Sequence, residues 1–115
     1  MYLLVAPVPQ EPPDDLPAIA VEADGPANQA MKDSLAEVFE RIPTVIRAYL
    51  VKSADDQLLL ALRFAYPWAD EDVVRSSRIL CRRMFPAEEQ LTVVALNERT
   101  EDRVRSIAPS FYART

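Results

Sequence analysis

The sequence predicts an α+β domain in which helices pack on one face of a mostly antiparallel sheet. Three observations carry this. First, two stretches, from Pro26 to about Arg41 and from Asp70 to about Met84, repeat apolar residues with the helical period of about 3.6. Second, Thr44 to Val51 and Gln57 to Ala65 are rich in β-branched, aromatic and leucine residues, and between them Ser53-Ala54-Asp55-Asp56 has turn chemistry. Third, Leu91 to Leu96 is an apolar run of strand length that leads into one more short helical segment.

Taken in order, the first 24 residues carry five acids, no Lys or Arg, and five of the ten prolines. Tyr2 to Ala6 fits an edge strand, because Pro7 and Pro9 cannot donate ladder hydrogen bonds. Gln10 to Asp15 reads as an acidic loop and Ala18 to Glu22 as a second short strand. Asp24-Gly25-Pro26 marks a helix start, with proline in the first turn, where its missing N–H costs nothing. On this helix Ala27, Met31, Ser34, Leu35, Val38 and Ile42 share a face with Phe39 at its margin, while Asp33, Glu37 and Glu40 lie opposite. Pro43 ends it, since the residue before a proline is pushed out of the α region.

The two runs that follow form an antiparallel hairpin, whose register decides whether the Tyr49 set or the Leu50 set faces Leu58, Leu60, Leu62 and Phe64. Asp70-Glu71-Asp72 opens the second helix with carboxylates at the positive end of the helix dipole. Val73, Ser77, Leu80, Cys81 and Met84 make its apolar face, with Arg75, Arg78 and Arg82 as a stripe on the other; it stops near Phe85-Pro86. Asn97 or Thr100 caps a last helix that ends before Pro109. The expected order is ββαββαβα, with Leu35, Val38, Phe39, Ile46 or Leu50, Leu60, Leu62, Leu80, Met84 and Val93 in the core.

The 115 residues suit a single domain over 1–115, with 1–24 as an acidic, proline-rich N-terminal segment, and 50% hydrophobic content is enough for one core. A net charge of -5 argues against a nucleic-acid binder, which needs a dominant basic surface. No apolar run reaches the ~20 residues of a membrane span, and Met1 to Val8 lacks the basic start of a signal peptide, so a cytoplasmic location is expected. Cys81 is the only cysteine, there is no histidine, and Gly25 is the only glycine. These absences exclude an intramolecular disulfide, Ser-His-Asp and Cys-His catalysis, the usual zinc sites, the dinucleotide fingerprint and the P-loop. No cofactor or metal is expected.

Three segments then stand together: Ile42-Pro43-Thr44-Val45-Ile46-Arg47-Ala48-Tyr49-Leu50, Leu58-Leu59-Leu60-Ala61-Leu62, and Ser106-Ile107-Ala108-Pro109-Ser110-Phe111-Tyr112-Ala113-Arg114. In this arrangement the chain resembles the C-terminal domain of the SseB family, named for enhanced serine sensitivity. The resemblance runs from about Ala18 to the end and is most specific in the Ala48-Tyr49-Leu50 strand and the Phe111-Tyr112 tail. It implies an α+β fold and no established catalytic residues or cofactor. Members of that family often place the domain after another, partly related one, whereas here it is expected to stand nearly alone behind the acidic N-terminal strand and loop.

Candidate interaction residues fall into three groups. Arg75, Arg78, Arg82 and Arg83 form the densest positive charge of an acidic chain, either an acceptor for an acidic partner or phosphate, or a solvated helix face. Arg47 and Tyr49, with Arg63 nearby, make either an exposed interface patch or a core tyrosine with its hydroxyl satisfied at the rim. Phe111 and Tyr112 either dock back on the domain, near the last helix or the hairpin and leaving Arg114 free, or anchor a partner or second copy. Trp68 reads as a core plug or a binding anchor, and Cys81 as a small buried hydrophobe. The acid pairs Asp55-Asp56, Asp70 to Asp72 and Glu88-Glu89 sit at turns and helix starts and receive no catalytic role. The expected function is a non-catalytic protein-interaction or regulatory module, with a protein partner or homo-oligomer and neither nucleic acid nor membrane. The alternatives are a small acidic immunity-type inhibitor of a basic toxin, and a small-ligand binder or enzyme using Arg, Tyr and carboxylates.

Overall fold

The computed structural model describes residues 16–65, 71–84 and 91–114. Its elements are β1 (Ile19–Glu22), α1 (Pro26–Phe39), β2 (Val45–Ser53), β3 (Leu58–Phe64), α2 (Glu71–Met84), β4 (Leu91–Leu96), α3 (Glu98–Arg105) and β5 (Tyr112–Ala113). The α+β class and the hairpin follow the sequence expectation. The Tyr2 to Ala6 strand, the Gln10 to Asp15 loop, Trp68, Glu88 and Glu89 lie outside the described residues, as do the side chains of Leu80, Cys81 and Met84.

The sheet order is β1-β2-β3-β4, and β5 joins β2 on the same edge as β1. All pairs are antiparallel except β3 with β4, which α2 connects as a parallel crossover. The hairpin turn places Asp56 at φ 61, a left-handed conformation that aspartate tolerates better than most side chains, and Ser53 N–H donates to the Gln57 carbonyl at 2.8 Å. This turn sets Leu50 opposite Leu60 and Ala48 opposite Leu62, so the Leu50 set faces the leucines. Gly25 precedes α1 at φ 98, where a side chain would be strained, and Pro26 follows in the first turn.

Both faces of the sheet are buried. On one, Ala48, Leu50, Leu60, Leu62 and Val93 pack with Met31, Leu35 and Phe39 of α1 and Val73 and Val74 of α2. On the other, Tyr49, Val51, Leu59, Ala61 and Leu96 pack with Val104 of α3 and Ala108. The first two helices pack on one face as expected, and α3 covers the other. The physical reason is in β3: Leu58-Leu59-Leu60-Ala61-Leu62 is apolar at every position, so each face needs a cover.

The apolar stripe of α1 is also rotated from the expected one. Val38 is exposed, as is Ala27, while Lys32 is buried beside Met31, Leu35 and Phe39. Lys32 makes this possible by laying its aliphatic stem along the core and carrying its ammonium to Glu22 of β1, at 2.9 Å. The other described members of the expected core are buried: Leu35, Phe39, Leu50, Leu60, Leu62 and Val93. Ile46 is half-buried.

Candidate functional site

Arg47 and Tyr49 are two apart on β2 and leave the sheet on the face that α3 covers. What waits there is Glu101. Asn97 starts α3 with a capping box, its side chain accepting from Thr100 N–H at 2.9 Å while Thr100 Oγ1 accepts from Asn97 N–H at 2.9 Å. One turn along, this places the Glu101 carboxylate, only 4% exposed, against β2. It accepts from Arg47 Nε and Nη2, the latter at 2.8 Å, and from the Tyr49 hydroxyl at 2.7 Å. Arg105, one turn further, approaches it at 3.3 Å.

The electrostatics follow from this geometry. Burial alone pushes Glu101 up, but the hydrogen bonds from Arg47 and Tyr49, with the positive charges of Arg47 and Arg105, outweigh it and hold the carboxyl below its ordinary range. Tyr49 is raised by burial first and then by its bond to Glu101, and Arg47 is raised chiefly by its bond to Glu101. A carboxylate held ionised by this many donors is a clamp between α3 and β2 rather than a proton carrier at neutral pH. Arg63 stands directly opposite Arg47 in the β2–β3 register, and its buried Nη1 has no hydrogen-bond partner.

Tyr49 is therefore a buried residue with its hydroxyl satisfied, whereas Arg47 keeps 32% of its side chain exposed. Glu101 was invisible to helix-period arguments that counted only apolar residues. Its signal is the spacing Glu101-Val104-Ala108, an acid within an apolar stripe, which calls for a compensating cation or donor opposite.

The tail docks. Tyr112 and Ala113 form β5, pairing with Ala48 and Arg47, and Phe111 N–H donates to the Ala48 carbonyl at 2.9 Å. Tyr112 is buried with its ring 5.8 Å from that of Phe39, and its hydroxyl donates to the Phe39 carbonyl at 3.1 Å; half-buried Phe111 lies 6.4 Å from the same ring. The expectation that Arg114 is free is corrected. Its Nη2 donates to the carbonyls of Phe39 at 3.1 Å and Glu40 at 2.9 Å, so a guanidinium closes the C-terminal end of α1.

The arginines of α2 behave differently. Val73, Val74 and Ser77 face inward, and Arg75, Arg78, Arg82 and Arg83 are all exposed, without an ion pair among the described residues. Ile79, 49% exposed, sits among them. Among the described residues no group of acids and cysteine is placed to hold a metal ion, and no helix is long and apolar enough to cross a membrane. Compared with known proteins, the chain matches no protein-family model, no curated protein and no solved structure.

Proposed function

We propose that this protein is a non-catalytic interaction module that receives an acidic segment of another protein on the outer face of α2. The observation that carries this is the set of four exposed arginines, unpaired among the described residues, around an exposed isoleucine. Arg75, Arg82 and Arg83 stand four before, three after and four after Ile79, which are the spacings of side chains that touch on a helix surface. An isoleucine ringed by guanidinium forks is suited to a segment that alternates carboxylates with an apolar anchor.

Charge complementarity selects the partner. The chain as a whole is net -5, so the four arginines of α2 stand out as a locally positive face that attracts an acidic partner. Arg47 and Arg105 are committed to Glu101, and Arg114 to the end of α1. The resemblance to the SseB C-terminal domain, which implies no established catalytic residues, agrees with a module of this kind.

The test is an NMR titration of the labelled chain with a synthetic peptide of glutamates and spaced leucines. The reading expects amide shifts confined to α2 that disappear in Arg78→Glu/Arg82→Glu. Shifts elsewhere, or binding to phosphatidylserine vesicles without binding to the peptide, would contradict it. Sedimentation in parallel detects the remaining occupant, a second copy of this acidic chain.

A further inference from the structure

We infer that Arg63, with Arg47 beside it, forms a second and separate site, one that takes a small oxyanion, a carboxylate or a phosphate group. The first observation is the Nη1 of Arg63, which is buried without any hydrogen-bond acceptor. Native proteins rarely leave a buried donor unpaired, and least of all a charged one, because its lost hydration is not replaced.

The second observation is the company that Arg63 keeps. Its register partner across β2 is Arg47, and like charges directly opposite on a strand pair repel. Among the described residues no acceptor reaches Nη1 of Arg63. Glu101 takes Nε and Nη2 of Arg47, the Tyr49 hydroxyl and the approach of Arg105, and Asn97 and Thr100 close on each other at the start of α3. Asp102, which is exposed, reaches Arg105 at 3.7 Å and no other described cation. Among the described residues, one buried carboxylate thus serves the Arg47 side of the pair and none pairs with Arg63.

An oxyanion supplies what is missing: two or more acceptor oxygens on one rigid group, matched to the fork of a guanidinium. It would neutralise the Arg47–Arg63 repulsion and tighten the same α3–β2 clamp, since Arg47 is shared by both. Arg63 lies on β3 between β2 and β4, so the ligand is held by the sheet itself, not by a mobile loop. This site is independent of the α2 face, which lies on the opposite side of the sheet.

The experiment is a pair of NMR and thermal-melting titrations of the full chain, one with sodium phosphate and one with sodium acetate, each at constant ionic strength set by sodium chloride so that screening does not change. The expected result is a saturable shift of the Arg63, Arg47 and Glu101 amides with a rise in melting temperature. A response to phosphate alone assigns a phosphate ligand, and a response to acetate alone or to both assigns a carboxylate-tolerant site. Arg63→Gln should weaken binding by about tenfold or more, the scale of one lost charge-assisted pair, while leaving the peptide titration of α2 unchanged. No saturable shift on the wild-type chain with either anion, or an equal response in Arg63→Gln, overturns the inference.

Discussion

The Tyr49 hydroxyl donates a 2.7 Å hydrogen bond to Oε2 of Glu101 and so ties the middle of β2 to α3 across the second face of the sheet. Tyr49→Phe keeps the ring and removes only the donor. Because the acceptor is a charged, buried carboxylate, urea unfolding should show a loss of about 1.5 to 3 kcal/mol. A loss below about 0.5 kcal/mol, the range of ordinary surface changes, would mean that Arg47 alone holds Glu101.

The same carboxylate gives stability a defined pH dependence. Glu101 is held below the ordinary value of 4.5, because the Arg47 and Tyr49 bonds outweigh the upward push of burial. A depressed folded-state value contributes stability that is fully present above the unfolded value and is lost as pH falls through the folded one. Wild-type stability should therefore fall more steeply below pH 4.5 than that of Glu101→Gln, which has no proton to take up. Denaturation curves at several acid pH values check this, and parallel declines for the two chains would contradict it.

The docked tail predicts a stability role for the last residues. Tyr112→Ala removes a ring packed on Phe39 together with a hydroxyl bonded to the Phe39 carbonyl, a change worth about 3 kcal/mol or more. Arg114→Ala removes only the cation at the end of α1 and should cost about 0.3 to 1 kcal/mol. Calorimetry should show the melting temperature fall in that order, with deletion of residues 110–115 at least as severe as Tyr112→Ala. An unchanged melting temperature after the deletion would contradict the docking of β5.

The rotated stripe of α1 gives a contrast between two apolar residues. Leu60→Ala opens a cavity in a fully buried position and should cost about 2 to 5 kcal/mol. Val38→Ser, on the exposed side, should stay within about 0.5 kcal/mol. Comparable losses at the two positions would place Val38 back in the core.

Local patterns made most of this fold legible. The turn chemistry at Ser53 to Asp56, the Gly25-Pro26 start of α1 and the Asn97 cap each act over a few residues, and each falls where its spacing indicates. What escaped was decided by distant contacts. Lys32 is buried only because Glu22 of β1 meets its ammonium, and Val38 is correspondingly turned outward. The Phe111-Tyr112 pair signalled docking through its apolar area, but not that Tyr112 would extend the sheet or that Arg114 would close α1. Arg47 and Tyr49 were legible as residues of interest. The Glu101 that binds them lies more than 50 positions away, and no local period connects the two.

The central claim is that the arginine face of α2 is a docking surface for an acidic segment. Its most direct measurement is the affinity of the glutamate-leucine peptide for the wild-type chain and for Arg78→Glu/Arg82→Glu, by isothermal calorimetry at low and at physiological salt. The account predicts that charge reversal weakens binding by about tenfold or more, with the wild-type affinity falling as salt rises because the arginines are exposed and screened. Equal affinity for the two chains, or wild-type binding indifferent to salt, would contradict it.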